Sequence, residues 1–496
     1  MSELFLIMPE IFLFLTLTFV VIGEIAYHGE QNRLIILTSL VGLGGALVQT
    51  LIAYRYGATE IFAHTYTVDG LSLFFKLLFI GLAALAVITV AHTNEVPIER
   101  KTEYCALILA GSLSMCLVAS AADLILIFLS LLFLNMISYF LAGYGKTSVK
   151  STEAAVKYMV FSTVAGTLLL YGMAILFGVS HSLNIYAIHH ALTANTLTHP
   201  TILIIFMLVF AAISFQLGVF PMHLWTPDVL EGAPTPASAF LSVGCRAAGF
   251  AVAIRILIAI FTQNSSSQGQ WQVMGSVDWT QILALVSGLT MAFGSLLAFR
   301  QKSAKRMVGC LVMAESGYLL LGLVVLDQVG IAAILYNLVI ELFALVGIFY
   351  VLSFIFDELG SDLLVDLRGM LGRAVPECIC LVLFLLCLVG MPPTPGFIGK
   401  FTLIGVALRH RWPVLGLIAI FSIAVSTVAV SKLAYSLLGE FKAAQPRALS
   451  FSETQVSGVW SRKIFLMSLV IPLLLIGVFA ETVLDLAGRS LGFIFW

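Results

Sequence analysis

Long apolar runs separated by short polar connections make up nearly the whole chain. Each approaches the roughly 20 residues a helix needs to cross a bilayer's hydrocarbon core, and about fourteen can be distinguished. They begin near Leu4, Leu34, Val68, Tyr104, Asp123, Ala154, Ile202, Ala237, Gln281, Met307, Ile331, Cys378, Pro413 and Ile464. Backbone polar groups in lipid must be satisfied within the segment, so the pattern predicts an all-α polytopic membrane protein of about fourteen transmembrane helices.

Two of the runs are interrupted. The stretch FQLGVFPMHLWTPDVLEGAPTP, Phe215–Pro236, breaks the seventh run at Gly218 and Pro221, and VGMPPTPGFIGKF, Val389–Phe401, breaks the twelfth at Gly390, Pro392, Pro393 and Pro395. A broken helix frees amides and carbonyls that lipid cannot satisfy, so the break must face protein or water. A single proline kink commonly serves packing alone. Two breaks flanked by Gln216, His223 and Lys400 predict wetted sites inside the membrane. They lie five helices apart, an odd offset, so a five-helix unit repeated once would be inserted upside down, the arrangement of transporters whose broken helices meet near the midplane.

The composition agrees with a membrane protein: of 496 residues, 60% are hydrophobic and 10% charged. The first run contains Pro9-Glu10 and leads directly into the second, so it reads as a retained helix rather than a cleaved signal. All seven cysteines fall in apolar runs, and the close pair Cys378/Cys380 lacks the spacing and partner histidines of a metal site. They read as packing residues. Connections after odd-numbered helices, such as Arg100-Lys101, Lys302-Lys305-Arg306 and Arg462-Lys463, carry most of the lysine and arginine, whereas the opposite side holds Arg55, Arg409, Arg411 and Arg489. The positive-inside rule then places both termini outside. Phe441–Lys463 reads as an amphipathic segment on the inner surface, and His181, His189 and His190 as residues of a solvated outer connection.

Ionisable residues within spans cost about 2.5–3.5 kcal/mol each at a helix centre on insertion scales, so several together require partners and hydration. Lys157, Arg246 and Lys400 lie deep or beside a break and point to function; Lys76, Arg255 and Lys432 are balanced between a role and snorkelling at the rim. The span carboxylates are Glu10, Glu24, Glu315 and Glu341. Glu315 precedes Asp327 by 12 residues and Glu341 follows Gly330 by 11. At 1.5 Å per residue both lie roughly 16–18 Å from one face, at similar depth. Either is a candidate counter-charge for Arg246 or Lys400, or the two share a proton. Charges set in such a row and joined by water load and unload one another and carry protons.

The segments MPEIFL at Met8, VDGLSLFFKLL at Val68, STEAAVKYMVFSTVAGTLLLYGMAILFG at Ser151, FPMHLWTPDVLEGAPTPASAFL at Phe220, KRMVGCLVMAESGYLLLGL at Lys305 and GMPPTPGFIGKF at Gly390 span nearly the whole chain. In these the chain resembles the antiporter-like membrane subunits of respiratory complex I, the proton-translocating NADH-quinone oxidoreductase. Within them it is most similar to the subunit N family, homologues of mitochondrial subunit 2, because Trp225–Pro234 has the form W-T-P-D-V-x-x-G-A-P. The resemblance implies two inverted five-helix repeats, residues 104–260 (helices 4–8) and 279–438 (helices 9–13), after three N-terminal helices (1–103) and before a surface segment with a last helix (439–496). It implies a proton path through Lys157, Gln216, His223, Arg246, Glu315, Glu341 and Lys400, and no redox centre in this chain. NADH, flavin, iron–sulfur clusters and quinone would be bound by the rest of the complex, the partners would be other membrane-arm subunits, and the location a bacterial plasma membrane. The alternative is a subunit of a multi-chain Na⁺/H⁺ antiporter.

Two positions depart from the family. Leu132, within LSLLFLN at Leu129–Asn135, stands where the fifth helix carries a glutamate, and Gln216 where the seventh carries a lysine. Losing one member of such a pair would strand a charge at about 3–5 kcal/mol; losing both strands none. Glu315 takes the place of a histidine, and Glu341 is an added acid. One reading is a relocated proton path through Arg246, Glu315, Glu341 and Lys400; the other is a silent subunit that holds the membrane arm together.

Overall fold

The computed structural model describes residues 5–27, 32–145, 148–194, 199–264, 270–274, 278–438 and 455–491. The apolar runs all become helices. They are α1 (Met8–Tyr27), α2 (Asn32–Ala53), α3 (Gly70–His92), α4 (Lys101–Ser120), α5 (Leu124–Ala142), α6 (Val149–Ser180) and, in the connection that follows, the short α7 (Ile185–Ala194). The seventh crossing is split into α8 (His199–Leu217) and α9 (Trp225–Gly232), followed by α10 (Thr235–Phe261), α11 (Trp279–Arg300), α12 (Ala304–Val324) and α13 (Gln328–Leu359). The twelfth is split into α14 (Val375–Val389) and α15 (Pro395–Arg409); α16 (Pro413–Leu438), α17 (Gln455–Val478) and α18 (Ala480–Ser490) complete the chain. Among the described residues 13 helices are long and apolar enough to cross a membrane, and α14 is a shorter apolar helix. Adding the α14–α15 pair gives the fourteen crossings.

Helix starts follow local chemistry. Asp69 caps α3 in a reciprocal capping box with Ser72, Asp123 accepts from the Ile125 amide at 2.8 Å, and Asp327 accepts from the Val329 amide at 3.2 Å. The Asp327 cap closes the turn between α12 and α13, as their spacing in sequence required. Two antiparallel hairpin ladders cover connections on the face opposite the basic loops: Thr59–Ile61 with Tyr66–Val68, and Thr262–Asn264 with Trp271–Val273.

Burial sorts the helices into a centre and a rim. The apolar stretch of α12 is entirely enclosed, and that of α10 nearly so, with α13 close behind. Outer helices expose large apolar side chains, among them Phe19, Val41, Leu132, Tyr171, Phe421 and Tyr435, as expected where the solvent is lipid or a neighbouring membrane subunit. An all-buried centre is where unpaired charge is least tolerable, and α12 and α13 are the helices that carry Glu315 and Glu341.

Two elements differ from expectation. The connection after α6 is not a plain solvated loop: His181 ends α6 in the left-handed region (φ 53°), and His189 and His190 lie on α7. Of Phe441–Lys463, read as a surface stretch, residues 441–454 lie outside the described residues and residues 455–463 begin α17.

Both breaks turn on a glycine. Gly218 (φ 67°) follows α8, and Gly390 (φ 79°) ends α14, a conformation that costs other residues about 1–2 kcal/mol. A Cβ on Gly390 would also lie 2.7 Å from Lys400 Cδ, so the twelfth-helix break is shaped around that lysine. Gly57 has a similar φ of 74° with nothing within 4 Å of its Cβ position. Gly57→Ala therefore bears backbone strain alone, about 1–2 kcal/mol, and Gly390→Ala bears the strain and the clash. The expected order of thermal unfolding midpoints in detergent is wild type, then Gly57→Ala, then Gly390→Ala; equal loss in the two variants would show that the break does not grip Lys400.

Candidate functional site

The twelfth-helix break presents a carbonyl and a cation to each other. Lys400, in the second turn of α15, donates to the freed Val389 carbonyl at 2.9 Å and to Glu315 Oε1 of α12 at 2.6 Å. Its ammonium lies 4.3 Å from the ring centroid of Tyr318, whose hydroxyl donates to the Ala419 carbonyl at 3.0 Å. Lys400 is 3% exposed and Glu315 4%. The lysine thus has a carboxylate, a backbone carbonyl and an aromatic face in place of water.

A second pair lies against the first. Arg246 of α10 donates from Nε to the Ser242 carbonyl at 2.6 Å, and from one terminal nitrogen to the Val312 carbonyl at 2.6 Å and Ser316 Oγ at 3.2 Å. Its other terminal nitrogen pairs with Glu341 Oε2. Ser316 is the residue after Glu315, so α12 touches both pairs with consecutive side chains. The four charged groups lie within electrostatic reach of one another. Sequence left the partners open; here Arg246 takes Glu341 and Lys400 takes Glu315, and each carboxylate has its own cation. Glu341 Oε1 is buried and has no hydrogen-bond partner among the described residues.

Lys157 belongs to a different environment. It was read as a deep residue of α6, yet its side chain is 37% exposed. It is eight residues from the start of a 32-residue helix, on the side of the basic connections. Its Nζ meets Asp228 Oδ2 at 2.5 Å and Glu153 at 2.8 Å. Asp228 Oδ1 in turn meets Arg306 at 2.8 Å, Arg306 meets Glu231 at 3.1 Å, and Glu231 meets Lys150 at 3.2 Å. The network joins α6, the half-helix α9 and the start of α12. Asp228 was missed as a site residue; its signal was its place in the W-T-P-D run just past the break.

Gln216 is the penultimate residue of α8, two before Gly218. It is 3% exposed, its Nε2 has no partner among the described residues, and it packs on Gly249 of α10, where an added Cβ would lie 3.1 Å from Gln216 Cγ. Leu132, half of which is exposed, lines the same cavity of about 310 Å³ between α5, α6 and α8, together with Asn135 and Ser162. The two positions expected to depart from the family thus line a common space. From its edge, the Tyr158 hydroxyl, one residue after Lys157, donates to Asn135 Oδ1 at 3.1 Å and lies 3.6 Å from Cys245 Sγ, one residue before Arg246. His223 stacks on Phe220 at 5.6 Å between ring centroids, and its Nδ1 has no partner among the described residues.

The remaining span cations divide. Lys432 is exposed and donates to the carbonyls of Phe299 (3.4 Å) and Gln301 (3.1 Å), as a rim residue does. Lys76 and Arg255 are buried, Lys76 against Glu10 at 2.9 Å and Arg255 against Asp69 at 3.0 Å, so neither snorkels. All seven cysteines are buried and unpaired with one another.

Residues 121–426 match the family model described as NADH:quinone oxidoreductase/Mrp antiporter, TM. A protein named NADH-quinone oxidoreductase subunit N from Chlorobium chlorochromatii is 34% identical over 425 residues, covering 85% of this chain and 82% of that protein. Among solved structures, a chain of respiratory complex I from Thermus thermophilus with bound aureothin is 26% identical with a TM-score of 0.77, covering 97% of this chain and 99% of that one. A chain of the Mrp complex from Dietzia sp. DQ12-45-1b has a TM-score of 0.83 at 19% identity, covering 97% of this chain and 96% of that one, a likeness of fold. On the extent of the family match and of the identity to subunit N, this chain belongs to the NADH:quinone oxidoreductase/Mrp antiporter family of membrane subunits.

Proposed function

We propose that the chain is a membrane-arm subunit of a proton-translocating NADH-quinone oxidoreductase, resident in a bacterial plasma membrane with both termini outside. Electron transfer from NADH through flavin and iron–sulfur clusters to quinone takes place in other subunits, and this chain moves protons. The observation that carries the reading is the enclosed quartet Arg246–Glu341 and Glu315–Lys400, set against a broken helix. Apolar side chains of similar volume would fold as well or better than buried ion pairs, so stability alone gives little reason for two.

The roles within the quartet follow from chemistry. Arginine stays protonated, so Arg246 is a fixed charge that holds Glu341 in place and polarises it. Glu341, Glu315 and Lys400 can exchange protons. A proton reaching Glu315 neutralises the counter-charge of Lys400 and weakens its hold on its own proton, which then leaves along the twelfth-helix break. Lys157 with Asp228 stands at the basic face as the entry, and Gln216 and His223 organise water at the seventh-helix break without carrying fixed charge. Division into repeats of residues 104–260 and 279–438 puts Lys157 and Arg246 in the first repeat and Glu315, Glu341 and Lys400 in the second.

Purification decides between this reading and a multi-subunit Na⁺/H⁺ antiporter. Co-isolation with flavin and iron–sulfur subunits is expected, and isolation solely with small membrane proteins would overturn it. In the reconstituted complex, Lys400→Ala should lower the protons moved per electron pair while quinone reduction continues. Because the alanine strands Glu315 at about 3–5 kcal/mol, Lys400→Ala with Glu315→Gln is the better-folded form of the test. Wild-type stoichiometry in both assembled variants would identify a scaffold that does not pump.

The shared cavity of Leu132 and Gln216 gives a second test. Gln216→Lys alone should impair assembly or turnover, because the new cation has no carboxylate across the cavity and must deprotonate or draw in water. Adding Leu132→Glu should restore it, and a double-mutant cycle measures the coupling. Additivity within about 0.3–0.5 kcal/mol would show that the two side chains do not interact.

A further inference from the structure

The proposed path leaves one buried ion pair without a part. Glu10, in the first turn of α1, meets Lys76 of α3 at 2.9 Å, and the lysine is fully buried. Lys76 also donates to the Tyr66 hydroxyl at 2.9 Å, with the Tyr66 ring centroid 5.1 Å away. Neither helix carries a member of the charged quartet, although α3 packs against α10 and α13, which do. Lys76 lies six residues into α3, about 9 Å along its axis, and Glu10 near the start of α1, so the pair sits beneath the face opposite the basic connections.

Its surroundings are under-satisfied. Neither Glu10 oxygen makes a hydrogen bond of good geometry among the described residues, and both are buried. A carboxylate offers about four acceptor sites, and one ammonium fills one of them. Buried acceptors left over in this way are met by internal water or by a proton. A metal cation is disfavoured, because the Lys76 ammonium already occupies the carboxylate. The other groups around the pair are the Tyr66 phenol, which resists ionisation, and the Cys116 thiol of α4.

We infer that Glu10 and Lys76, with Tyr66 as a hydrogen-bond partner, form a second proton-holding site, hydrated and outside the charged quartet, on the face where protons leave. The pair exchanges one proton with water, Glu10 becoming the neutral acid while Lys76 stays charged, and it returns to the ion pair when the proton departs. No co-reactant beyond water and the proton is required. Arg255, nine residues on from Arg246 along α10, pairs with Asp69 at the N-cap of α3, the helix that carries Lys76. The inference rests on the proton-translocating reading given above.

The test uses the whole complex in vesicles. Glu10→Leu with Lys76→Met removes both charges without stranding either, so a structural pair predicts normal pumping from this variant. A proton-holding site predicts assembled complex, continued quinone reduction, and fewer protons per electron pair. It also predicts that a protonated-carboxyl band in redox-induced infrared difference spectra disappears in Glu10→Gln. Wild-type stoichiometry together with an unchanged band overturns the inference. Should the double variant fail to assemble, Glu10→Gln with Lys76→Gln keeps polar side chains at both positions without the titrating carboxylate or a stranded charge; reduced pumping is expected, and normal pumping overturns the inference. Lys400→Ala measured in parallel separates the two failures. If it lowers the stoichiometry and the pair variants do not, only this site is excluded; if none of the variants lowers it, the proton-translocating reading itself falls.

Discussion

A charge in the interior of this bundle must have its counter-charge within contact, and that constraint organises the molecule. Removing an ion from water costs several kcal/mol even after relaxation, so four cations deep in the bundle are each placed against a carboxylate. Lys400 has Glu315, Arg246 has Glu341, Lys76 has Glu10 and Arg255 has Asp69. Arg246, Glu315 and Glu341 lie on the three most enclosed spans, α10, α12 and α13, and the packing there is constrained by the pairs. Gly396 and Gly399 of α15 show how tightly: a Cβ would lie 1.8 Å from the Cys387 carbonyl oxygen at the first and 2.4 Å from Asn337 Oδ1 at the second. The break closes around Lys400 because nothing larger than glycine fits beside it.

The same constraint explains the altered first half. Where relatives are expected to set a glutamate opposite a lysine, Leu132 and Gln216 line one cavity with Asn135 and Ser162. A neutral amide there can bind water through an unfilled donor, and no counter-charge is owed to it. Glu315 and Glu341, which the family resemblance did not lead one to expect, are each one half of an ion pair. Neutral Leu132 and Gln216 owe no counter-charge, and Glu315 and Glu341 each have one.

Much of this was legible in the sequence, for identifiable reasons. Span number and the two breaks follow from runs of apolar residues and from prolines that no intact helix accommodates. The matching depths of Glu315 and Glu341 follow from counting residues away from the turn at Asp327. What counting cannot supply is rotation about the helix axis. That rotation decides that Glu341 faces Arg246 and Glu315 faces Lys400, that Lys157 stands half-exposed near the basic face, and that Lys76 turns inward. Asp228 escaped because its partners come from α6 and α12, separated from it by 71 and 78 residues in the chain.

Asp228 also shows how the halves are joined. Its two oxygens are divided between Lys157 at 2.5 Å and Arg306 at 2.8 Å. Arginine does not lose its proton, so a carboxylate bound to it keeps a counter-charge whatever the state of the lysine. Lys157 can therefore change charge without stranding Asp228, which a simple lysine–carboxylate pair would not allow. Arg306 lies on the first turn of α12, nine residues before Glu315 on the same helix. One rigid, enclosed helix thus touches the carboxylate that receives Lys157 and carries the carboxylate that receives Lys400. A shift of α12 strong enough to disturb one contact must disturb the other.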